Sequence, residues 1–209
     1  MIKKPQGYDE APAYTGESRA LPKGKYVCVI KQVEEETVSY RSGGEHEQFV
    51  IYFDIAEGEY KDFYMDAYKS KKAAGKASKD WREDWRGVYR QTMDGKGTPW
   101  LKGIITSIER SNNFTFQWDQ KENEKTLAEK RFGGVSRRRQ FEGQNGNRAF
   151  VTELVQIRSV AGLAEAEVPE DELLPDQAAE AEQAGTPSPV GDGFMNIPDG
   201  VEDEGIPFM

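Results

Sequence analysis

Trp81-Arg82, Trp85-Arg86 and Tyr89-Arg90 repeat an aromatic–cation pair every four residues, directly after the lysine-rich stretch from Lys69 to Lys79. Cations can follow a phosphate backbone and flat rings can stack on unpaired bases, which is the chemistry of sequence-independent single-strand binding. A second cluster, Ser136-Arg137-Arg138-Arg139-Gln140, sits where a strand is expected, and strand alternation puts Arg137 and Arg139 on one face. The candidate nucleic-acid contacts are therefore Lys71, Lys72, Arg82, Arg86, Arg137 and Arg139, with Trp81 and Trp85 as stacking rings. A plainer reading stays open beside this one. Trp81, Trp85 and Tyr89 also fit the core face of a helix at i, i+4 and i+8, and the cations also fit a solvated face.

Other chemistries have weaker support. Asp54, Glu57, Glu59, Asp62 and Asp66 crowd one region, and Glu59-Tyr60-Lys61 has the form of half of a Mg²⁺-dependent nuclease site. Such a site needs an earlier Asp beside the Glu to hold the metal, and Asp54 is the available partner, at an unusual spacing. A solvated turn after a strand explains the same residues. Gly143-x-x-Gly146 lacks the Lys-Ser/Thr of a phosphate loop and precedes a strand rather than a helix. Cys28 is the single cysteine and His46 the single histidine, which excludes an internal disulfide and disfavours zinc and haem. His46 lies between two glutamates in an expected turn and should be exposed. No catalytic residue, metal or cofactor is assigned, and the expectation is a non-enzyme.

The net charge of −9 argues against nucleic acid only until its distribution is read. Residues 161–209 hold 13 acids and no Lys or Arg, which leaves 24 of the 37 acids against all 28 bases in the first 160 residues, a net of +4. Within that body, Lys69 to Arg90 has eight bases and three acids, and Lys130 to Arg148 has six bases and one acid. Each segment carries +5. Segregation of this kind predicts nucleic-acid contact together with an acidic interaction arm. No apolar run approaches the length of a membrane span and no hydrophobic segment follows the N-terminal residues, so a soluble, non-secreted protein is expected.

The elements that must position these residues are mainly β. Residues 1–20 read as a flexible arm, 21–160 as the folded domain and 161–209 as a disordered acidic tail, because the tail has too few apolar residues to offset ordering its backbone. Strands are expected at Lys25–Val33, continuing towards Tyr40, and at Gln48–Ile55. Glu59–Tyr68 fits either an irregular third strand or a helix with an aromatic face, and Lys69–Lys79 reads as mobile. Leu101, Ile104, Ile105 and Ile108 fall on one helical stripe after Thr98-Pro99, an N-cap and first-turn proline, and the helix should end near Asn113. Phe114, Phe116 and Trp118 alternate as a short extended piece. Lys130–Phe141 and Arg148–Val160 read as two strands joined by a turn at residues 143–147, with a bulge in the second. Strand, strand, disputed strand, helix, strand, strand is the element order of a five-stranded OB-like barrel carrying an insertion.

The chain bears two resemblances to known families, one at its tip and one spread over the body and tail. Glu202, Asp203 and Glu204 before Ile206-Pro207-Phe208 are similar to the acidic tip of bacterial single-stranded-DNA-binding proteins, although here Met209 follows the Phe. Gly24–Ile30, Phe53–Lys61, Leu101–Asn112, Phe132–Val135 and Phe194–Gly200 resemble single-stranded-DNA-binding proteins of temperate phages and prophages of Gram-positive bacteria. The resemblance implies an OB-type fold, single-stranded DNA as ligand, and a replication or recombination setting in the cytoplasm of a bacterial host. It also implies docking of replication, recombination or repair proteins on Glu202, Asp203, Glu204, Ile206, Pro207 and Phe208. Self-association is compatible with it. The alternatives are a nuclease using Asp54, Glu59 and Lys61, or an interaction protein that mimics a host tip.

Overall fold

In a computed structural model, residues 3, 4, 8, 20–39, 43–143 and 145–175 are described. The chain divides into two compact units, Met1–Glu172 and Leu173–Met209, and only residues 173–175 of the second are described. The described residues of the first unit form five strands, β1 (Gly24–Ser39), β2 (Glu45–Ile55), β3 (Val88–Thr92), β4 (Arg131–Glu142) and β5 (Arg148–Arg158), and two α-helices, α1 (Phe63–Ala73) and α2 (Thr98–Asn112).

The strands form one antiparallel sheet in the order β3-β2-β1-β4-β5. β3 and β5 are its two edges, so the sheet does not close. β1 is long enough to pair with β2 over most of its length and with β4 through Gly24–Val29. Within the β2 pairing Lys31 is an extra residue, since Ile30 faces Phe53 and Gln32 faces Tyr52. One inserted residue exchanges the faces of everything beyond it. Cys28 and Ile30 point into the core before the bulge and Val33 after it, which turns Glu34 and Glu36 to the opposite face. The expected bulge in the last strand is also present: Val135 faces Gln156 and Ser136 faces Leu154, leaving Val155 over.

Leu101, Ile104, Ile105 and Ile108 are all buried, as their spacing predicts. Burying each is worth about 1.5–3 kcal/mol, which is what holds α2 across the open side of the sheet against β3, β4 and β5. Thr98 is the first helical residue rather than the cap, and the helix ends at Asn113 in the left-handed region (φ 49°).

The stretch from Ile55 to Val88 departs most from expectation. Glu59–Tyr68 is no strand; its second half begins α1, which runs on through part of the stretch expected to be mobile. The first turn of α1 has no local side-chain cap. Instead the Asp54 carboxylate, reaching from β2, accepts the backbone N–H groups of Tyr64 and Met65 at 2.9 Å each. The cap lies ten residues upstream on a strand, so no local pattern announces it. Trp81, Trp85 and Tyr89 do not share a helix either: Trp81–Glu83 is a single 3-10 turn and Tyr89 belongs to β3, opposite Ile51. Gly87 makes that approach feasible, because a Cβ there would collide with the Phe53 carbonyl and the Tyr64 ring. Phe114–Trp118 forms no strand.

Residues 161–172, which composition assigns to the tail, lie within the first unit. Ala161–Leu163 forms a 3-10 turn that buries Leu163, and Glu172 bridges to Arg139 of β4.

Candidate nucleic-acid interface

Of the two candidate stacking rings, one is core. Trp85 is 4% exposed, donates its indole N–H to the Phe53 carbonyl at 2.9 Å and packs near Tyr68. It cannot offer a face to a base, which corrects the expectation for this residue. Trp81 is half-buried and meets Tyr52 and Trp85 edge-on, with centroids 5.4 and 5.2 Å away. The two tryptophans therefore seal the 3-10 turn onto β2, and Trp81 alone keeps partial access.

The candidate cations separate by what faces them. Lys71, at the C-terminal end of α1, pairs with Asp84, whose other oxygen accepts the Ser78 N–H at 2.5 Å. The Lys71 ammonium holds the Asp84 carboxyl below its ordinary range. Asp84 thereby ties α1 to the turn carrying Trp81, and the lysine loop expected to be mobile is anchored at both ends. Arg82 is gripped by Asp80 at 2.5 Å and by Glu34 of β1 at 2.6 Å, and these carboxylates raise its pKa further. Burial pushes the Glu34 carboxyl up, but hydrogen bonds from Tyr52 and Arg82 outweigh it and hold the group below its usual value. Arg137 lies 3.2 Å from Glu153 and also pairs with Glu172, while Arg139 reaches Glu153 at 3.1 Å. Lys72 and Arg86 differ: both are exposed, and no described carboxylate pairs with either.

The same is true of Lys69, Lys76 and Lys79. Together with Lys72 and Arg86 they form a run of uncompensated cations on α1 and the loop after it. Lysine density signals the region in the sequence, but the residues singled out there do not include these three. Nor do they include the exposed rings of Trp100, Trp118, Phe141 and Phe150. Phe150 lies on the β4–β5 arm beneath the Arg138 guanidinium, 4.8 Å from ring centroid to cation, an arrangement that hairpin pairing of Arg138 with Thr152 explains.

A cleft of about 460 Å³ opens on the β1–β2–β3 face, lined by Glu34, Glu35, Glu36, Tyr52, Asp80, Arg82, Glu83 and Arg90. Five carboxylates against two guanidinium groups make it a poor place for phosphate, and Arg90 is itself 3.7 Å from Glu36. A nuclease centre at Asp54 meets a direct obstacle. Its buried carboxylate already accepts three backbone N–H groups, from Ile55, Tyr64 and Met65. Among the described residues no group of three or more His, Cys, Asp or Glu side chains is placed to hold a metal ion. His46 is buried rather than exposed, with its Nε2 2.9 Å from Gln48 Nε2 in the β1–β2 hairpin.

Glu202, Asp203, Glu204, Ile206, Pro207 and Phe208 lie outside the described residues. No described helix is long and apolar enough to cross a membrane. The chain matches no protein-family model and no curated protein.

Proposed function

We propose that this protein binds single-stranded DNA without sequence preference and recruits replication or recombination proteins through its acidic C-terminal tip. The observation that carries the reading is the run Lys69, Lys72, Lys76, Lys79 and Arg86, five exposed cations close together in the chain with no described carboxylate to satisfy them. Isolated cations of this kind suit phosphates, because binding breaks no existing pair. The fold supports the same reading. Antiparallel order β3-β2-β1-β4-β5, with α2 between β3 and β4, has the connectivity of a partly open five-stranded OB barrel, a fold that serves oligonucleotides widely. Non-specificity follows from the chemistry: a lysine is a point charge that reads phosphate, not base edges. Trp81 is the stacking candidate that retains exposure, beside Phe150 on the arm.

Binding of fluorescently labelled oligothymidylate tests this, with and without Mg²⁺. Affinity should fall with salt at a log–log slope of about −0.7 per neutralised phosphate, without cleavage. Salt-independent binding, a preference for duplex, or Mg²⁺-dependent cleavage overturns the reading. For the tip, Phe208→Ala should abolish capture of a tip-binding helicase or nuclease while leaving oligonucleotide affinity unchanged. Equal capture by both chains leaves the tail without a docking role.

A further inference from the structure

β1 stops pairing with β4 at Gly24, opposite Ser136, and beyond that point β4 presents an edge that β1 does not cover. Residues 164–172 return along that edge. Glu172 forms a parallel bridge with Arg139: Gln140 donates its N–H to the Glu172 carbonyl at 2.8 Å, and Glu172 donates its own to the Arg138 carbonyl at 2.9 Å. The bridge brings a strap of acids and carbonyls onto four cations. Lys23 Nζ lies 2.9 Å from Glu170 and 3.2 Å from Asp171. Lys25 Nζ donates to the carbonyls of Ala164 at 2.8 Å and Ala166 at 3.0 Å. Arg137 pairs with Glu172, and Arg138 with Asp171.

Four cations gathered along one strand edge, with Arg137 and Arg138 on its opposite faces, concentrate positive charge where a polyanion backbone can use it. The strap supplies oxygens to each of them from a segment in which no residue is fully buried, Leu163 being its buried anchor upstream. Lys23, Arg137 and Arg138 stay between 31% and 43% exposed, so water and salt reach them. Pairs of this kind are individually weak and screened. A ligand with denser negative charge can therefore exchange for the strap without unfolding the sheet.

We propose that Lys23, Lys25, Arg137 and Arg138 form a second polyanion site, which residues 164–172 fill in cis and a nucleic-acid backbone fills after displacing them. The proposal rests on the proposed DNA binding for the identity of the polyanion alone. It is distinct from the run Lys69, Lys72, Lys76, Lys79 and Arg86, which carries no such cover.

A variant combining Glu170→Gln, Asp171→Asn and Glu172→Gln keeps the backbone bridge and removes the competing charge. A charge-matched control combines Asp119→Asn, Glu122→Gln and Glu124→Gln, away from the strap. At low salt the strap variant should bind oligothymidylate roughly tenfold more tightly than the control, with a salt slope steeper by up to about 2 for the cations released from carboxylates, Lys23, Arg137 and Arg138. Adding Lys23→Ala, Arg137→Ala and Arg138→Ala should return both quantities to the control values. In the unmodified protein, oligothymidylate should speed hydrogen exchange at the Glu172 amide. Equal affinity and slope in strap variant and control, with unchanged exchange, overturn the proposal and leave DNA binding through α1 standing. If neither chain binds oligothymidylate, the DNA reading falls and immobilised heparin decides the rest. Later elution of the strap variant than of the control upholds a masked cation site, and equal elution removes it.

Discussion

Lys69–Arg90 and Lys130–Arg148 carry the same net charge of +5, yet the fold treats them in opposite ways. In the first, Lys71, Arg82 and Arg90 are paired, while Lys69, Lys72, Lys76, Lys79 and Arg86 face no described carboxylate. In the second every cation is engaged. Lys130 lies over the Phe114 ring and Arg131 reaches Glu57. Arg137, Arg138 and Arg139 meet Glu153, Asp171 and Glu172, and Arg148 also has a partner. The acids that quench the second segment come from Glu57 after β2, from β5 and from beyond residue 160, out of reach of any local count. Charge per segment therefore measures potential for phosphate binding, and the tertiary pairing decides how much of it is available.

The largest effect should come from the residue that the first segment lends to the core. Trp85→Ala should destabilise the protein by about 3–5 kcal/mol, in the range for large-to-small changes at buried aromatics, with loss of the Phe53 carbonyl's partner included. Urea unfolding measures it. A Trp85→Ala protein of normal stability that binds oligonucleotide poorly would restore Trp85 as a stacking ring and undo this side of the contrast.

Next in size is the difference in binding. Lys72→Ala, Lys76→Ala and Lys79→Ala together should weaken oligothymidylate binding and flatten the salt slope by about 2, at roughly 0.7 for each phosphate that is no longer neutralised. Arg137→Ala with Arg139→Ala should change the slope by much less while Glu170–Glu172 are intact. The reverse order would mean that the paired arm, not the lysine run, carries the backbone.

Acid should erode the contrast. Glu34, Asp84 and Asp171 have carboxyls held below their ordinary range, by partners that include Arg82, Lys71 and Arg138 respectively. Their stabilising contribution is present above the unfolded-state pKa, about 4, and is lost as pH falls through their lower folded values. Asp54 has the opposite sign. Burial raises its carboxyl, so its contribution is present below the unfolded value and fades as pH rises through the folded one. Protonation of Asp171 releases Arg138, so the arm's share of oligonucleotide binding should grow only once pH falls below the ordinary carboxylate value of about 4. Affinity ratios of the two variant sets across pH would show this as convergence, and a constant ratio would speak against the pairing.

The smallest effect concerns single exposed pairs. Arg139→Ala should alter stability by no more than about 1 kcal/mol, as usual for solvent-exposed ion pairs, because both Arg139 and Glu153 remain substantially exposed. Denaturation that shows a larger loss would make the Glu153 bridge a structural element of the arm.

Much of this architecture was readable in the chain. The β1–β2 and β4–β5 hairpins follow from alternating β-formers around Gly-rich turns, the buried stripe of α2 from 3.6-residue spacing, and the Val155 bulge from broken alternation. Each is a local signal, complete within a dozen or so neighbouring residues. The failures share the opposite property. α1 is capped by Asp54 from another strand, Trp81 and Trp85 are held by β2, and the lysine loop is pinned by Asp84. Aromatic residues four apart satisfy a helix and a turn-plus-strand equally well until a partner surface is present.

By itself the sequence determined a mainly β body, one amphipathic helix, the segregation of charge and the location of two basic segments. These depend on side-chain period and composition, which are properties of neighbours along the chain. Only the tertiary structure decided that the sheet stays open between β3 and β5, that Trp85 is core, and that the β1–β2–β3 cleft is acidic. It also decided which cations are paired and which face no described carboxylate. The physical reason is that Coulomb pairing and burial act over a few ångströms of space, and the residues that supply them, Glu34 to Arg82 or Asp171 to Arg138, are 48 and 33 positions apart in the chain.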